Sequence, residues 1–500
     1  MNHKVITTIV AIILVMSLIA GCSGSSVNQE GSNEQAAGEK LTINMAVQYW
    51  SGSKWAADHP TIQYLNEKFN IDLKLQFING PEYAEKLKVM AASGNLPDFY
   101  RVDPDTYLKW QGEGAFVDLK PLLPNYSNLS EAFPADDPAV TILNPIDKNY
   151  GLPEISWLAR DTIQVRKDWL EQLGIPVPDE EHFTVDQFYE IAKAFVQEDP
   201  DGNNQKDTIG FSKDNLALKS AFGLANEWIE KDGQLIPPQV QIEEQKAYLA
   251  FMRKAYEEGV LDQDFALRKS SDIEELHKSN KLGLFTYHNN YPDLVRQIKN
   301  NFPDSNPEIV PLAPPIGPEG QRGNLNWTVG TNKQVINAKA SKEKQDRILQ
   351  ILDWWVTDEG TTVMKNGIEG IHYVKKEDGS YEVTDRWEPE MPRYLNSSLF
   401  KRPGTDFNLY LWTDEEEMKR NEQYAENVLK YQWPNAAPGI EYYSDTAKTK
   451  LANLNLKFEE AASKIIVGRA PIDSIADASA EWLANGGQNI IDEVNEAAAK

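Results

Sequence analysis

Leu41-Thr-Ile-Asn-Met-Ala-Val47 and Asp72-Leu-Lys-Leu-Gln-Phe77 alternate apolar and polar residues. Between them, Thr61 to Phe69 repeats Ile62, Leu65 and Phe69 at helical spacing. A period of two is that of a strand with one buried face, and three-to-four spacing is that of an amphipathic helix. A second helix is expected over Tyr83 to Ser93, with Gly94 supplying the left-handed stop. Strand, helix, strand, helix predicts βαβ units and a mostly parallel sheet, so the fold class is α/β.

Upstream, His3 and Lys4 precede an apolar run from Val5 to Ala20 that only Thr7, Thr8 and Ser17 interrupt. The run is short for a membrane span and has the charge-then-apolar order of a signal peptide. It ends in Leu18-Ile-Ala-Gly-Cys22, which resembles the bacterial lipobox, and Cys22 is the only cysteine. Residues 1–21 therefore read as a lipoprotein signal peptide and Cys22 as the lipidation site. A diacylated cysteine holds a protein stably on a membrane. Residues 22–40, rich in Ser, Gly, Asn, Gln and Glu, read as a flexible polar spacer. The expected location is the extracellular face of the cell membrane.

The remaining chain is long enough for at least two cores. With one cysteine there is no disulfide framework, so stability must come from packing or a metal. Seventy-six acidic against 50 basic residues give a net charge of −26. That argues against nucleic acid and against lying flat on anionic lipid. It argues only weakly against an anionic ligand, because a local basic pocket would override the total.

Thr184-Val-Asp-Gln187 has the form of a capping box, flanked by Phe183 and Phe188 as a hydrophobic staple, and predicts a helix over about 185–197. Helices are also expected over Gln345 to Trp355, Lys419 to Tyr431 and most of Leu451 to Ala499. Directly after the capped helix, Asp199, Asp201, Asn203, Gln205 and Asp207 alternate along one loop. Alternate oxygen donors suit a hard cation such as Ca2+, with Gln205 offering its carbonyl and Asn204 tolerating a positive φ. Position twelve is Gly210 and not a bidentate glutamate, so Thr208, water or a residue elsewhere would complete a structural site. The alternative is a solvated Asx-rich turn.

No Gly-x-Ser-x-Gly elbow, His-Glu-x-x-His, Walker loop or dinucleotide fingerprint is present, and the histidines lack metal spacing. The chain reads as a non-enzyme. Tryptophan is plentiful, at 13 residues, and Trp50, Trp55, Trp157 and Trp327 sit beside turn residues. Indole faces together with carboxylates and amides suit sugars, which present flat C–H faces and hydroxyl edges.

These residues resemble the extracellular solute-binding proteins of ABC importers, in particular the large lipoprotein branch serving oligosaccharides. The resemblance is carried by Lys88 to Asp98, Gly114 to Leu119, Tyr150-Gly-Leu-Pro153, Val165 to Leu170 and Leu173-Gly-Ile-Pro176. Pro314 to Gly320 and Gly367 to Tyr373 complete it. It implies a periplasmic-binding-protein type II fold, two α/β lobes joined by a hinge with a ligand cleft between them. The N-terminal lobe is expected over 41–157 with about 329–375 returning to it, and the C-terminal lobe over 158–328 with about 376–500. The resemblance points to Asp103, Asp105, Trp157 and Trp327 as ligand contacts, with Trp50 on the near wall and Tyr287 and Glu369 as weaker candidates. It implies an oligosaccharide ligand, a transmembrane permease partner and a monomer. A peptide or other non-sugar solute is the alternative cargo, and a surface polysaccharide-degrading enzyme the alternative class.

Overall fold

β1 (Leu41–Tyr49), α1 (Pro60–Phe69) and β2 (Ile71–Asn79) form the expected βαβ unit, with Leu41 opposite Ile71 and Tyr49 opposite Asn79 in parallel register. The computed structural model describes residues 40–49, 54–154, 161–213, 215–287, 291–391 and 410–499. Cys22 and the leader, most of the spacer, Trp50 and Trp157 lie outside the described residues. Alternation sorts the β1 side chains: Ile43, Met45 and Val47 enter a core with Leu65 and Leu73, while Ala46 enters the core on the opposite face. Asn70 ends α1 in the left-handed conformation, at φ 48°, and its N–H closes on the Asn66 and Glu67 carbonyls.

The chain continues through α2 (Tyr83–Ser93), β3 (Phe99–Val102), α3 (Pro104–Gly112), α4 (Pro138–Thr141) and β4 (Leu152–Pro153). It then builds a second lobe from β5 (Thr162–Arg166), α5 (Val185–Gln197), β6 (Ile209–Phe211), α6 (Ile242–Glu257), β7 (Leu282–Tyr287) and β8 (Ile309–Pro311). β9 (Lys333–Ile336) and α7 (Lys342–Trp355) return to the first lobe. α8 (Glu415–Lys430) and α9 (Asp445–Ile466) finish on the second.

The first sheet runs β2-β1-β3-β9-β4 and the second β8-β5-β7-β6. The expectation of a mostly parallel sheet holds for β2, β1 and β3 only. β9 is antiparallel to both its neighbours, because it enters from the other lobe and not through a crossover helix. In the second sheet only β6 and β7 run parallel.

α5 starts where its cap predicts: the Thr184 hydroxyl accepts the Gln187 N–H at 3.2 Å, and Phe183 stacks obliquely on Phe188 at 6.4 Å. Phe188, Ile191 and Phe195 bury its inner face against Trp169 and Phe211. Truncating one such fully buried phenylalanine to alanine costs about 3–5 kcal/mol.

One stretch departs from the expected division of the chain. Trp387, Met391, Tyr410 and Trp412, assigned by sequence to the C-terminal lobe, pack against the core of the first lobe. The second lobe resumes only with α8.

Candidate functional site

The lobes meet where three pieces of backbone press together. Gly330, in the bend that leads into β9, has φ +82°, and a side chain there would strike the Ala139 carbonyl of α4. Gly439 has φ +73°, and a Cβ would fall 2.7 Å from Ile142 Cδ1, one residue beyond α4. Ile440 then packs on the second-lobe core and Tyr442 on the first-lobe core, so the 439–443 turn bridges the two. Beneath it, buried Lys333 donates to the Ala139 and Val140 carbonyls at 3.0 and 3.1 Å. Burial pushes its ammonium down to about 7, with the charge of Asp137 opposing. Lys333 thereby holds α4, on which Gly330 bears and beside whose end Gly439 packs.

Four carboxylates surround this junction. Asp103 follows β3 and caps α3, accepting the Thr106 N–H and hydroxyl, both at 2.9 Å. Asp105 is exposed in the first turn of the same helix. Glu227 holds the left-handed conformation at φ +61°, rare for a residue with a side chain. Its Oε2 accepts from Thr328 Oγ1 at 3.4 Å and from Asn435 Nδ2 at 2.5 Å. Solvent reaches this carboxyl, yet the walls around it strip enough water to raise its pKa, and the two hydrogen bonds offset part of that. Glu441 is pushed up to about 7, first by burial and then by the charge of Glu227. Among the described residues its buried Oε2 has no hydrogen-bond partner. Burial, followed by the fields of Glu441, Asp105, Glu227 and Asp103, lifts the Tyr442 phenol to about 12.

Glu227 and Glu441 line a cavity of about 1160 Å³ together with Asn226, Leu325 and Trp433. The cavity belongs to the second lobe, so Asp103 and Asp105 face the junction from the other side and not from within it. Trp433 is fixed from two directions: its indole N–H donates to the Leu224 carbonyl at 2.9 Å, and its amide donates to Asn326 Oδ1 at 3.0 Å. Asn226 ties the same corner, donating to the Asn326 and Trp433 carbonyls.

Of the residues singled out from sequence, Asp103 and Asp105 lie at this junction. Trp327 is 38% exposed and donates from Nε1 to Asp161 Oδ2 at 3.0 Å. Tyr287 ends β7 edge-on to His277 and Phe285, and its carbonyl accepts from Gln164. Glu369 lies on an exposed turn that bridges back to Tyr373 and is not gathered with the four acids. Trp55 is a core residue, stacked on His59 at 4.5 Å. Glu227, Trp433 and Glu441 escaped the sequence reading. Trp433-Pro-Asn435 was the one available signal, an aromatic residue beside turn formers.

The 199–208 loop follows α5 closely. Asp199, Gly202 and Asn204 all adopt positive φ, at 52°, 69° and 61°. Asp199 Oδ1 and Asp201 Oδ1 are buried without partners, which is costly unless a cation or ordered water meets them. The Asn203 amide stands between Asp201 Oδ2 and Asp207 Oδ1, at 2.9 and 3.1 Å, while its Oδ1 accepts the Gln205 N–H. Asp201 is raised by burial and by Asp199. Asp207 is lowered by Asn203 and then by Lys281, 3.2 Å away. The Thr208 hydroxyl donates to the Phe195 carbonyl at 2.5 Å. An all-oxygen set with orphaned carboxylate oxygens fits a hard cation. Asp199, Asp201 and Asp207 would hold it, with Asn203 turning its carbonyl inward.

A second grouping, His59, His372 and Glu390, brings two imidazoles and a carboxylate within 4.8 Å. Each Nδ1 accepts a backbone N–H, from Thr61 at 3.2 Å and from Ile368 at 2.8 Å. Each Nε2 therefore carries the proton and donates, His59 to the Glu390 carbonyl and His372 to its carboxylate. A metal on Nε2 needs the opposite tautomer. The trio is a hydrogen-bonded clamp.

Residues 53–362, more than half of the chain, match the sequence profile of the bacterial extracellular solute-binding proteins. The chain is 25% identical to Lipoprotein LipO of Bacillus subtilis (strain 168) over 508 aligned residues, covering 97% of each. It is 24% identical to the polygalacturonan/rhamnogalacturonan-binding protein YtcQ of the same organism, covering 98% of each. The structure of the alginate-binding protein AlgQ2 without calcium ion matches with a TM-score of 0.67 at 19% identity, over 94% of this chain and 100% of that one. The fold is accordingly of the periplasmic-binding-protein type, two α/β lobes about a hinge and cleft. Taken with the profile match, this places the chain in the bacterial extracellular solute-binding protein family.

Proposed function

We propose that this chain is a lipid-anchored extracellular solute-binding protein that captures an oligosaccharide between its lobes and delivers it to the permease of an ABC importer. The observation that carries the reading is the junction itself. A cavity of about 1160 Å³ opens beside Trp433, Glu227 and Glu441, with Asp103 and Asp105 on the facing lobe. Aromatic faces bind the C–H side of a sugar, and carboxylates accept from its hydroxyls. The glycines at 330 and 439 give the junction a hinge about which the lobes close on ligand. Cys22 would keep the captured ligand beside the permease, the protein acting as a monomer that performs no chemistry on its cargo. Trp50 and Trp157 are proposed as further walls of the cleft, and Trp327, Tyr287 and Glu369 as its outer contacts. The 199–208 loop is proposed to hold a structural Ca2+, a reading supported by the orphaned oxygens of Asp199 and Asp201.

A peptide cargo is favoured by one observation, the acidity of the junction, which would also suit an amino terminus. Thermal shift against oligosaccharides and peptides separates the two, since stabilisation grows with ligand concentration over its dissociation constant. A rise in Tm with a peptide and none with any oligosaccharide would sink the carbohydrate reading. Turnover of a polysaccharide by the purified protein would replace both with an enzyme.

A further inference from the structure

We propose that Glu441 and Glu227 are specificity-determining residues of the cleft, selecting an oligosaccharide that offers neutral hydroxyls at this corner over one that carries a carboxylate there. The inference rests on the carbohydrate reading above and adds to it the chemical class of the sugar. Glu441 is the decisive residue. Its Oε2 is shut away from solvent with no donor to meet it, and the side chain lines the cavity beside Trp433. A buried acceptor left unpaired is costly, and a turn of the side chain that brings Oε2 into the cavity, to meet a ligand hydroxyl or amide N–H, relieves that cost.

The strained backbone of Glu227, φ +61°, aims the carboxyl at the junction, where Thr328 and Asn435 hold Oε2. Both residues that hold it are neutral, so its charge is oriented and not cancelled. The charge felt at Glu441 is that of Glu227. Among the described residues, the lysines and the arginine lining the same cavity make no ion pair with either acid. Lys219 approaches Glu459 and Arg268 binds Asp262, while Lys213, Lys269 and Lys464 pair with neither Glu227 nor Glu441. A uronate carboxylate placed here would meet the like charge of Glu227 in a partly dehydrated space, joined above about pH 7 by that of Glu441. A neutral sugar would instead donate to both.

The test is titration calorimetry on the full chain in detergent. The probes are neutral gluco-, galacto-, xylo- and fructo-oligosaccharides and, against them, oligogalacturonides. The expected result is binding of at least one neutral oligosaccharide and no measurable binding of oligogalacturonides. Glu441→Leu should then weaken the neutral ligand about tenfold or more, the loss expected when a hydrogen bond to a charged group is removed. The Glu227→Gln/Glu441→Gln double variant keeps the side-chain shapes, carries the test if the leucine variant does not fold, and should improve oligogalacturonide binding by at least about tenfold. Oligogalacturonide binding by the unaltered protein as tight as that of the neutral sugars overturns the selectivity and leaves the carbohydrate reading standing. Binding of no oligosaccharide of either class overturns the carbohydrate reading, and this inference with it.

Discussion

The imidazoles of His59 and His372 lie 5.9 Å apart and 15° from parallel, and both turn Nε2 toward Glu390. Each Nδ1 accepts a backbone N–H, so a second proton on either ring would displace that bond. Burial lowers both pKa values, and for each ring the charge of Glu390 opposes in part. The folded values lie below the unfolded 6.5. The stability from the neutral rings is thus complete above about pH 6.5 and is lost as the pH falls through the folded values. His372→Asn retains an acceptor for the Ile368 N–H and cannot titrate. Its Tm should fall less than that of the unaltered protein between pH 7.5 and pH 5. Equal slopes in differential scanning calorimetry would contradict the clamp.

Glu441 pulls in the opposite direction. Its folded pKa, about 7, lies above the unfolded 4.5, so the folded state holds a proton that the unfolded state releases between those values. Stability is fully present below pH 4.5 and declines as the pH rises to 7. Glu441→Gln removes the ionisation and should stabilise the ligand-free protein at pH 8 by about 1 kcal/mol, less than the shift alone implies because solvent still reaches part of the side chain. Urea melts at pH 5 and pH 8 check it: the gain should appear at pH 8 and vanish at pH 5.

Chelation should lower Tm if the 199–208 loop holds Ca2+. A cation at a hundred times its dissociation constant contributes about 2.7 kcal/mol, a shift of several degrees. Asp201→Ala, which removes one orphaned carboxylate, should abolish the response to chelator. A Tm that chelator leaves unchanged in the unaltered protein would assign the loop to an Asx-rich turn.

Gly439 is a contact between the lobes that a methyl group would spoil twice, by its φ of +73° and by a Cβ 2.7 Å from Ile142 Cδ1. Gly439→Ala should cost about 1–3 kcal/mol. It should also alter how far the lobes close on ligand, read as a changed difference in radius of gyration between ligand-free and ligand-bound scattering. An unchanged difference would move the hinge elsewhere.

The elements most legible in sequence are those set by near neighbours in the chain. α5 starts at Val185 because Thr184 caps it and Phe183 meets Phe188, contacts within five residues of one another. β1 alternates because its two faces meet different cores. The positive φ of Asn204 was legible for the same reason, as the metal-like loop is one continuous run.

The antiparallel return of β9 was not legible, because nothing local distinguishes a strand that arrives from another lobe. Nor was the packing of Trp387 and Trp412 on the first-lobe core, which depends on partners far away in the sequence.

By itself the sequence determined the α/β class, the capped helix, the oxygen-rich loop and a resemblance to solute-binding proteins. All of these are carried by periodicity or by short contiguous motifs. Only the tertiary structure decided that Glu227, Trp433 and Glu441 share one corner. Glu227 and Glu441 are more than 200 positions apart, and the returning segment at Gly330 and the bridging turn at Gly439 bring the lobes together around them. No periodicity along the chain encodes such a meeting, since the free energy that holds it is packing between segments that are strangers in sequence.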